Sequence, residues 1–549
     1  MPSVKASIAS GYKMVQDANL HDMGELIGSC LNGTSSDIRR ALAMATVTSP
    51  QILMGRQQTI MYLRSRMGEI KGGWDSRFKR IAEIEKDITP FFKNGDNDKD
   101  SLEDDTIAQL YFRSDFFKPL NHVPWLLLCM SIFKIWVVPA MSICMPILVW
   151  VMPYILLRYV YGLPITQDQY YHIIQQIMSG NINIPTFEDM PAVTMQQYTE
   201  PWSIKTLFQY AMFSFTFAQS MIQPIQNAMH LYKTDTVSNR VGSQILELRR
   251  IIRHLRADIG PLNGIHVKLS FSLEDIDSHD ARRAFISIKD YPENIHMVFR
   301  DLAHLESMWR IARAEILNPV VFSRGLFNLV DCADLSLRDV VCVKSTIHLH
   351  ERPHAILTGP NGGGKSSFLR SVLQSVLIGQ AYGFAPAKEA HMPRFTWVAS
   401  GIQLRDTPGE LSMFETEVKF ASECIRSANA GGPGIVLYDE LFHSTNPPDS
   451  ARTAAEFLKR LWKNGNTFSI ISTHLFPLVD SAPPNVQPIC CPATATDSGK
   501  IQFDYGVRQG ICSLSSVHTV WEKFGLVENT RAPVATGKVS TEKRTNDAE

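Results

Sequence analysis

Residues 358–367 read Thr-Gly-Pro-Asn-Gly-Gly-Gly-Lys-Ser-Ser, and no other stretch restricts the fold of this 549-residue chain as much. The pattern G-x-x-x-x-G-K-[ST] runs from Gly359 to Ser366. The apolar run Ala355-Ile356-Leu357 leads in, and Phe368-Leu369 with Val372-Leu373 follow at helical spacing. Strand, glycine loop and helix are therefore predicted in the order a phosphate cradle requires. Gly359, Pro360, Asn361, Gly362, Gly363 and Gly364 would close backbone N–H groups around a β-phosphate, with the positive end of the next helix behind them. Lys365 would bridge the β- and γ-phosphates. The Ser366 hydroxyl suits Mg²⁺, and Ser367 completes the loop.

Two more strand ends carry chemistry. Ile435-Val436-Leu437-Tyr438-Asp439-Glu440 is an apolar strand closed by two carboxylates. Asp439 would hold a Mg²⁺ shell through water, and Glu440 would orient or polarise an attacking water. Further on, Phe468-Ser469-Ile470-Ile471-Ser472-Thr473-His474 is a second strand, ending in a His placed to contact the γ-phosphate and that water. A lone strand-end carboxylate pair or His says little. The order and spacing after a complete glycine loop give these groups their meaning.

The chain is too long for a single core, and size scaling suggests roughly three or four domains. Lys+Arg and Asp+Glu are both 54, so net charge is silent about a nucleic-acid partner. Nine cysteines are scattered without a C-x-x-C pair, which implies neither a zinc site nor a disulfide framework and favours a reducing compartment. Residues 1–16 contain no signal-peptide h-region. Residues 531–549 are polar and free of aromatics, the composition of a disordered tail.

The motifs together resemble the MutS family of ATPases. The glycine loop is similar to T-G-P-N-M-G-G-K-S-T, and Gly379-Gln380-Ala381-Tyr382-Gly383-Phe384-Ala385-Pro386-Ala387 to the helix-ending segment G-x-F-V-P-A. Ser412-Met413-Phe414-Glu415-Thr416-Glu417 resembles the signature S-T-F-M-x-E. Asp439 to Thr445 is similar to D-E-x-x-x-G-T, Thr473-His474 to T-H, and the Tyr505–Cys512 segment to Y-x-x-x-x-G-x-x. The resemblance is specific over about 350–526. It implies a dimer in which Ser412 reaches the partner's γ-phosphate. There are departures: Ser444 stands where the family has glycine, as does Glu410, both in loops expected at the dimer interface. Val341 falls where the family often stacks an aromatic on adenine. The adenine contact therefore stays unassigned, and slow turnover is expected.

Toward the start, Ser35-Ser36-Asp37 is predicted to cap a helix. The Gln51–Leu63 segment resembles the MutS core pattern I-x-x-R-Q-x-x-I-x-x-L; as an ordinary amphipathic helix it would bury Ile52, Ile60 and Leu63. The resemblance implies that the chain begins inside a helical core domain, without mismatch-recognition or connector domains. Residues 243–317 read as returning lever helices. Between these parts, Ile135 to Leu157 is uncharged for 23 residues. That length suffices to cross a bilayer, with Trp125, Trp136, Trp150, Tyr154, Tyr159 and Tyr161 suited to the interfaces. Residues 206–230 form a second, more polar uncharged stretch. Crossings must be even in number, through a hairpin within 123–163 or a return through 206–230.

The expected fold is an α/β P-loop (ABC-type) ATPase domain, 319–530, C-terminal to a mainly α-helical MutS-core and lever region. That region divides into 1–122, an apolar transmembrane insert at 123–230 and returning helices at 231–318; 531–549 is the tail. The expected function is ATP- and Mg²⁺-dependent hydrolysis in a homodimer that moves the lever helices, at a membrane facing cytosol or nucleoplasm, with DNA as a partner suggested by resemblance alone. The rivals are a soluble repair or recombination ATPase whose apolar insert is core, a transporter-like machine disfavoured by the absence of L-S-G-G-Q, and a structural protein without turnover.

Overall fold

The computed structural model describes residues 4–92, 109–112, 114, 116–179, 204–259, 280–337, 342–404, 411–496, 501–517, 520–521 and 524–526. Val341, Glu410, part of the 243–317 segment and the 531–549 tail lie outside them. The chain divides into two compact units. One comprises 1–85, 253–271 and 296–549; the other comprises 86–252 and 272–295.

The first unit is organised around a six-stranded sheet. Its order is Arg508–Gln509, Val486–Cys490, His354–Thr358, Thr467–Ser472, Gly434–Tyr438, Trp397–Gly401. The last five are mutually parallel, and only the Arg508–Gln509 edge is antiparallel. Every residue of the three central strands is buried, which explains their unbroken apolar runs: a parallel sheet with both faces covered has no polar face to present. A mixed five-stranded sheet, containing Asn318–Phe322 and Phe327–Cys332, lies in the same unit.

The helices of this unit pack on an aromatic centre, Trp74 against Trp309 with ring centroids 5.0 Å apart. Glu306 is fully buried, and its carboxylate accepts from the backbone N–H of Cys30 and Leu31 and from the Thr34 hydroxyl. Glu85 accepts from the N–H of Asn32 at 3.1 Å. These two carboxylates satisfy the open N-terminus of helix Asn32–Ala43, whose cap residue Leu31 has no polar side chain. The predicted Ser35–Asp37 cap is thus corrected: those residues sit inside the helix, because remote carboxylates do the capping.

Helix Pro50–Ser65 is capped by Ser49, which accepts from the N–H of Ile52. Ile60 and Leu63 are fully buried, but Ile52 is 54% exposed, so only part of the expected apolar stripe is used. Its polar residues instead fasten it to the C-terminal part of the chain. Arg56 donates to Ala381 O at 3.0 Å, and Gln57 donates to Val320 O at 2.8 Å and Gly383 O at 2.9 Å. Gly383 ends helix Lys365–Tyr382 at φ +76°, and a Cβ there would meet Gln57 at 2.7 Å. Only glycine allows both the left-handed turn and this approach.

In the second unit the apolar run is helical from Pro124 to Val160. Two π-helical turns, Phe133–Val137 and Leu156–Val160, flank the α-helix Val138–Ile155. Pro139 lacks the N–H that would bond back to Ile135, so the ladder widens there. Pro124–Leu148 is long and apolar enough to cross a membrane: an 18-residue window of it has mean hydropathy 2.0, with 17% of that window buried. The second uncharged stretch opens a 56-residue helix, Ile204–Ile259, that continues well beyond residue 230. Asp235 on this helix accepts from Ser131 at 3.0 Å and pairs with Arg282 at 3.0 Å, both charges shielded from water.

Candidate nucleotide site

The strand His354–Thr358 delivers the glycine loop to the C-terminal edge of the sheet, where ligands bind in open parallel sheets. Gly364 begins helix Lys365–Tyr382 with φ +100°, in a conformation that a side chain would strain. The loop folds back on its lysine. Lys365 Nζ donates to Gly359 O at 2.8 Å, Pro360 O at 3.2 Å and Asn361 Oδ1 at 3.3 Å. His474 Nε2 lies 3.3 Å from the same ammonium, a fourth neighbour for its three N–H donors. Burial lowers the proton affinity of both groups, and the lysine charge beside His474 lowers that of the imidazole further.

The two neighbouring strands bring the acidic residues to the same place. Ser366 Oγ donates to Asp439 Oδ2 at 2.5 Å, and Ser472 Oγ donates to Asp439 Oδ1 at 2.5 Å. The N–H of Glu440 donates to Ser472 Oγ at 2.8 Å. Glu440 itself has φ +53°, a left-handed backbone in a non-glycine residue, and its carboxylate lies 4.0 Å from His474 Nε2. A cavity of about 420 Å³ is lined by Pro360, Asn361, Gly362, Gly364, Lys365, Ser366, Ser367 and Glu440, with Cys342, Val343, Phe368 and Tyr505 on its remaining walls. The glycine loop, Asp439, Glu440 and His474, separate in sequence, therefore form one cluster.

Ser412 is not part of it. It caps helix Met413–Asn429 in a reciprocal box with Glu415: the Glu415 N–H donates to Ser412 Oγ, and the Ser412 N–H donates to Glu415 Oε2 at 2.8 Å. It is exposed at that helix N-terminus and does not line the cavity. Three groups escaped sequence reasoning. Ser472 orients Asp439 and anchors Glu440, and its place immediately before Thr473-His474 was the available signal. Tyr505 contributes a wall, with its backbone in contact range of Gly364. Glu417 is fully buried beneath the loop that follows Glu440; it closes the segment that resembles S-T-F-M-x-E, and that position was the available signal.

The comparison with known families bears on this region. Residues 355–531 match MutS domain V. The DNA mismatch repair protein MutS of Natronomonas pharaonis is 30% identical over 179 residues, 32% of this chain and 21% of that protein. MutS of Leuconostoc citreum is 27% identical over 251 residues, 45% of this chain and 27% of that protein. The mitochondrial DNA mismatch repair protein MSH1 of Arabidopsis thaliana is 28% identical over 177 residues, 32% of this chain and 16% of that protein. The chain thus covers about a quarter or less of the length of these relatives. The similarity supports a MutS relationship for the C-terminal part, where the site lies.

Proposed function

We propose that the chain is an ATP hydrolase of the MutS kind, with an ABC-type P-loop site. The observation that carries this reading is one contact cluster: Lys365, Ser366 and Glu440 line the cavity, Asp439 joins Ser366 and is tied to Glu440 through Ser472, and His474 lies against Lys365 and Glu440. The donors fit Mg²⁺: a hydroxyl and a carboxylate, both hard oxygen ligands, meet at Ser366 and Asp439. Bound there, Mg²⁺ would offset charge on the β- and γ-phosphate oxygens. Lys365 would exchange its loop carbonyls for phosphate oxygens. His474 would hold the lytic water with Glu440.

The shared site with Ser412 from a second copy, the movement of the long helices and the action on DNA belong to the same proposal. The printed names of the relatives concern DNA mismatch repair, which makes DNA the partner to test first. Membrane association is proposed from the second unit. Trp125, Trp136, Phe133, Met141, Met145, Tyr159 and Tyr161 are exposed along 124–161, and lipid is the surrounding that makes such a surface favourable. The test is purification with and without detergent, followed by ATP turnover with duplex, mismatched and branched DNA. Absence of turnover in every condition overturns the hydrolase reading. Recovery of full-length protein without detergent overturns the membrane assignment and leaves the soluble repair-type ATPase.

A further inference from the structure

The turn after the catalytic-strand carboxylates holds two non-glycine residues in left-handed conformations, Glu440 at φ +53° and Phe442 at φ +52°. Such backbones are unfavourable for non-glycine residues and persist only where neighbours fix them. Part of that fixing comes from beneath. Glu417, on helix Met413–Asn429, is fully buried and receives the Ser444 hydroxyl on Oε2. Its other oxygen, Oε1, is buried without a hydrogen-bond partner among the described residues. That arrangement is unfavourable unless a donor is at hand.

The donor at hand is His443. Its Nδ1 lies 3.1 Å from Glu417 Oε1, off the line of a hydrogen bond, and donates instead to the carbonyl oxygen of Glu440 at 3.1 Å. One N–H thus stands between the backbone of Glu440 and a buried carboxylate on the helix that Ser412 caps. The same short segment supplies both contacts to Glu417, His443 from its ring and Ser444 from its hydroxyl.

We propose that Glu417 and His443 form a positioning pair that sets the backbone of Glu440 according to the seating of helix Met413–Asn429. With Nδ1–H on the Glu440 carbonyl, the left-handed turn is held. With Nδ1–H turned to Oε1, the carbonyl is released and the Glu440 carboxylate is free to swing. A shift of the helix moves Glu417 relative to Ser444 and selects between the two. Neither residue touches the nucleotide cavity; both act through Glu440, so the inference rests on Glu440 being the carboxylate that orients water.

The experiment uses the full-length protein and measures ATP affinity and single-turnover hydrolysis separately for Glu417→Gln, His443→Ala, His443→Asn and the double variant Glu417→Gln/His443→Ala. Glu417→Gln and His443→Ala should each slow hydrolysis about 10-fold while ATP affinity stays within about 2-fold, the signature of a lost transition-state arrangement in a folded site. The double variant should lose no more than either single one, because the two act as a unit. His443→Asn keeps a donor near the Nδ1 position and should recover most of the rate. Wild-type rates in both single variants, multiplying losses in the double, or an equally slow His443→Asn would overturn the pair. If the wild-type protein binds ATP and never hydrolyses it, the fault lies instead with Glu440, and the hydrolytic reading falls together with the pair.

Discussion

Glu440 lies two residues beyond a fully buried strand in a backbone conformation that few side chains adopt, held by Ser472 at its N–H and by His443 at its carbonyl. Glu440→Gln removes only the charge, so the turn should survive and ATP should still bind. Turnover should fall by roughly 10² or more, measured as phosphate release under saturating ATP. Lys365→Ala should act differently, weakening ATP binding itself in a titration with labelled nucleotide, because it deletes the cation nearest the phosphates. His354 tests the sheet beneath the loop. It is fully buried, its Nδ1 meets Ser469 Oγ at 2.9 Å, and burial pushes its pKa from 6.5 down to about 4. A folded pKa below the unfolded one means that the unfolded chain binds the extra proton as pH drops from about 6.5 to about 4, so stability is lost across that window. Between pH 7 and 5 this one residue should cost about 2 kcal/mol. Denaturant unfolding of wild type and His354→Gln at both pH values should show the loss in wild type and a smaller one in the variant.

At the scale of elements, legibility followed periodicity and local chemistry. The glycine loop and the two strand ends could be read because each is a contiguous segment whose residues all serve one place. The central strands could be read because a buried parallel sheet leaves an apolar run. What could not be read depends on partners distant in sequence. Leu31 cannot announce that Glu306 and Glu85 will satisfy its helix N-terminus, and Gln57 cannot announce that it will meet Gly383. Ser412 is different: with Glu415 three residues on it forms a local S-x-x-E capping box, a pattern the reading as a signature serine passed over. The apolar helix was legible as a length and a composition, and its exposure in the second unit is what those two features cannot supply. If lipid surrounds it, a charge at its middle is expensive, about 2.5–3.5 kcal/mol for each Arg on insertion scales. Met145→Arg combined with Leu148→Arg should therefore shift full-length protein out of the detergent-requiring membrane fraction. Unchanged fractionation of this double variant would return the segment to a protein core.

At the scale of the whole molecule, the proposed shared site would leave one copy of the chain short of one residue. Lys365, Ser366 and Glu440 line one cavity, with Asp439 and His474 in contact with them from behind, while Ser412 stands exposed at the end of its own helix with no place in the cavity wall. Ser412 is held at this helix N-terminus by the Glu415 carboxylate, which takes both its N–H and its hydroxyl, so meeting an anion brought by another copy would require that box to open and leave the helix dipole facing the anion. A two-fold dimer would supply that anion twice, each copy lending its Ser412 to the other's nucleotide. Complementation separates this arrangement from one in which each copy works alone. A Ser412→Arg copy keeps an intact cavity and has lost the reaching group; a Lys365→Ala copy has the reverse defect. Each homodimer should be inactive. Mixed in equal amounts, they should form heterodimers with one working site: the intact cavity of the first copy, completed by Ser412 of the second. With random pairing half of the dimers are mixed, so phosphate release should return to about a quarter of the wild-type rate per chain. A mixture as inactive as its components, with both variants folded and exchanging subunits, would show that Ser412 does not act across a dimer. Activity in the Ser412→Arg homodimer would remove that serine from the reaction altogether.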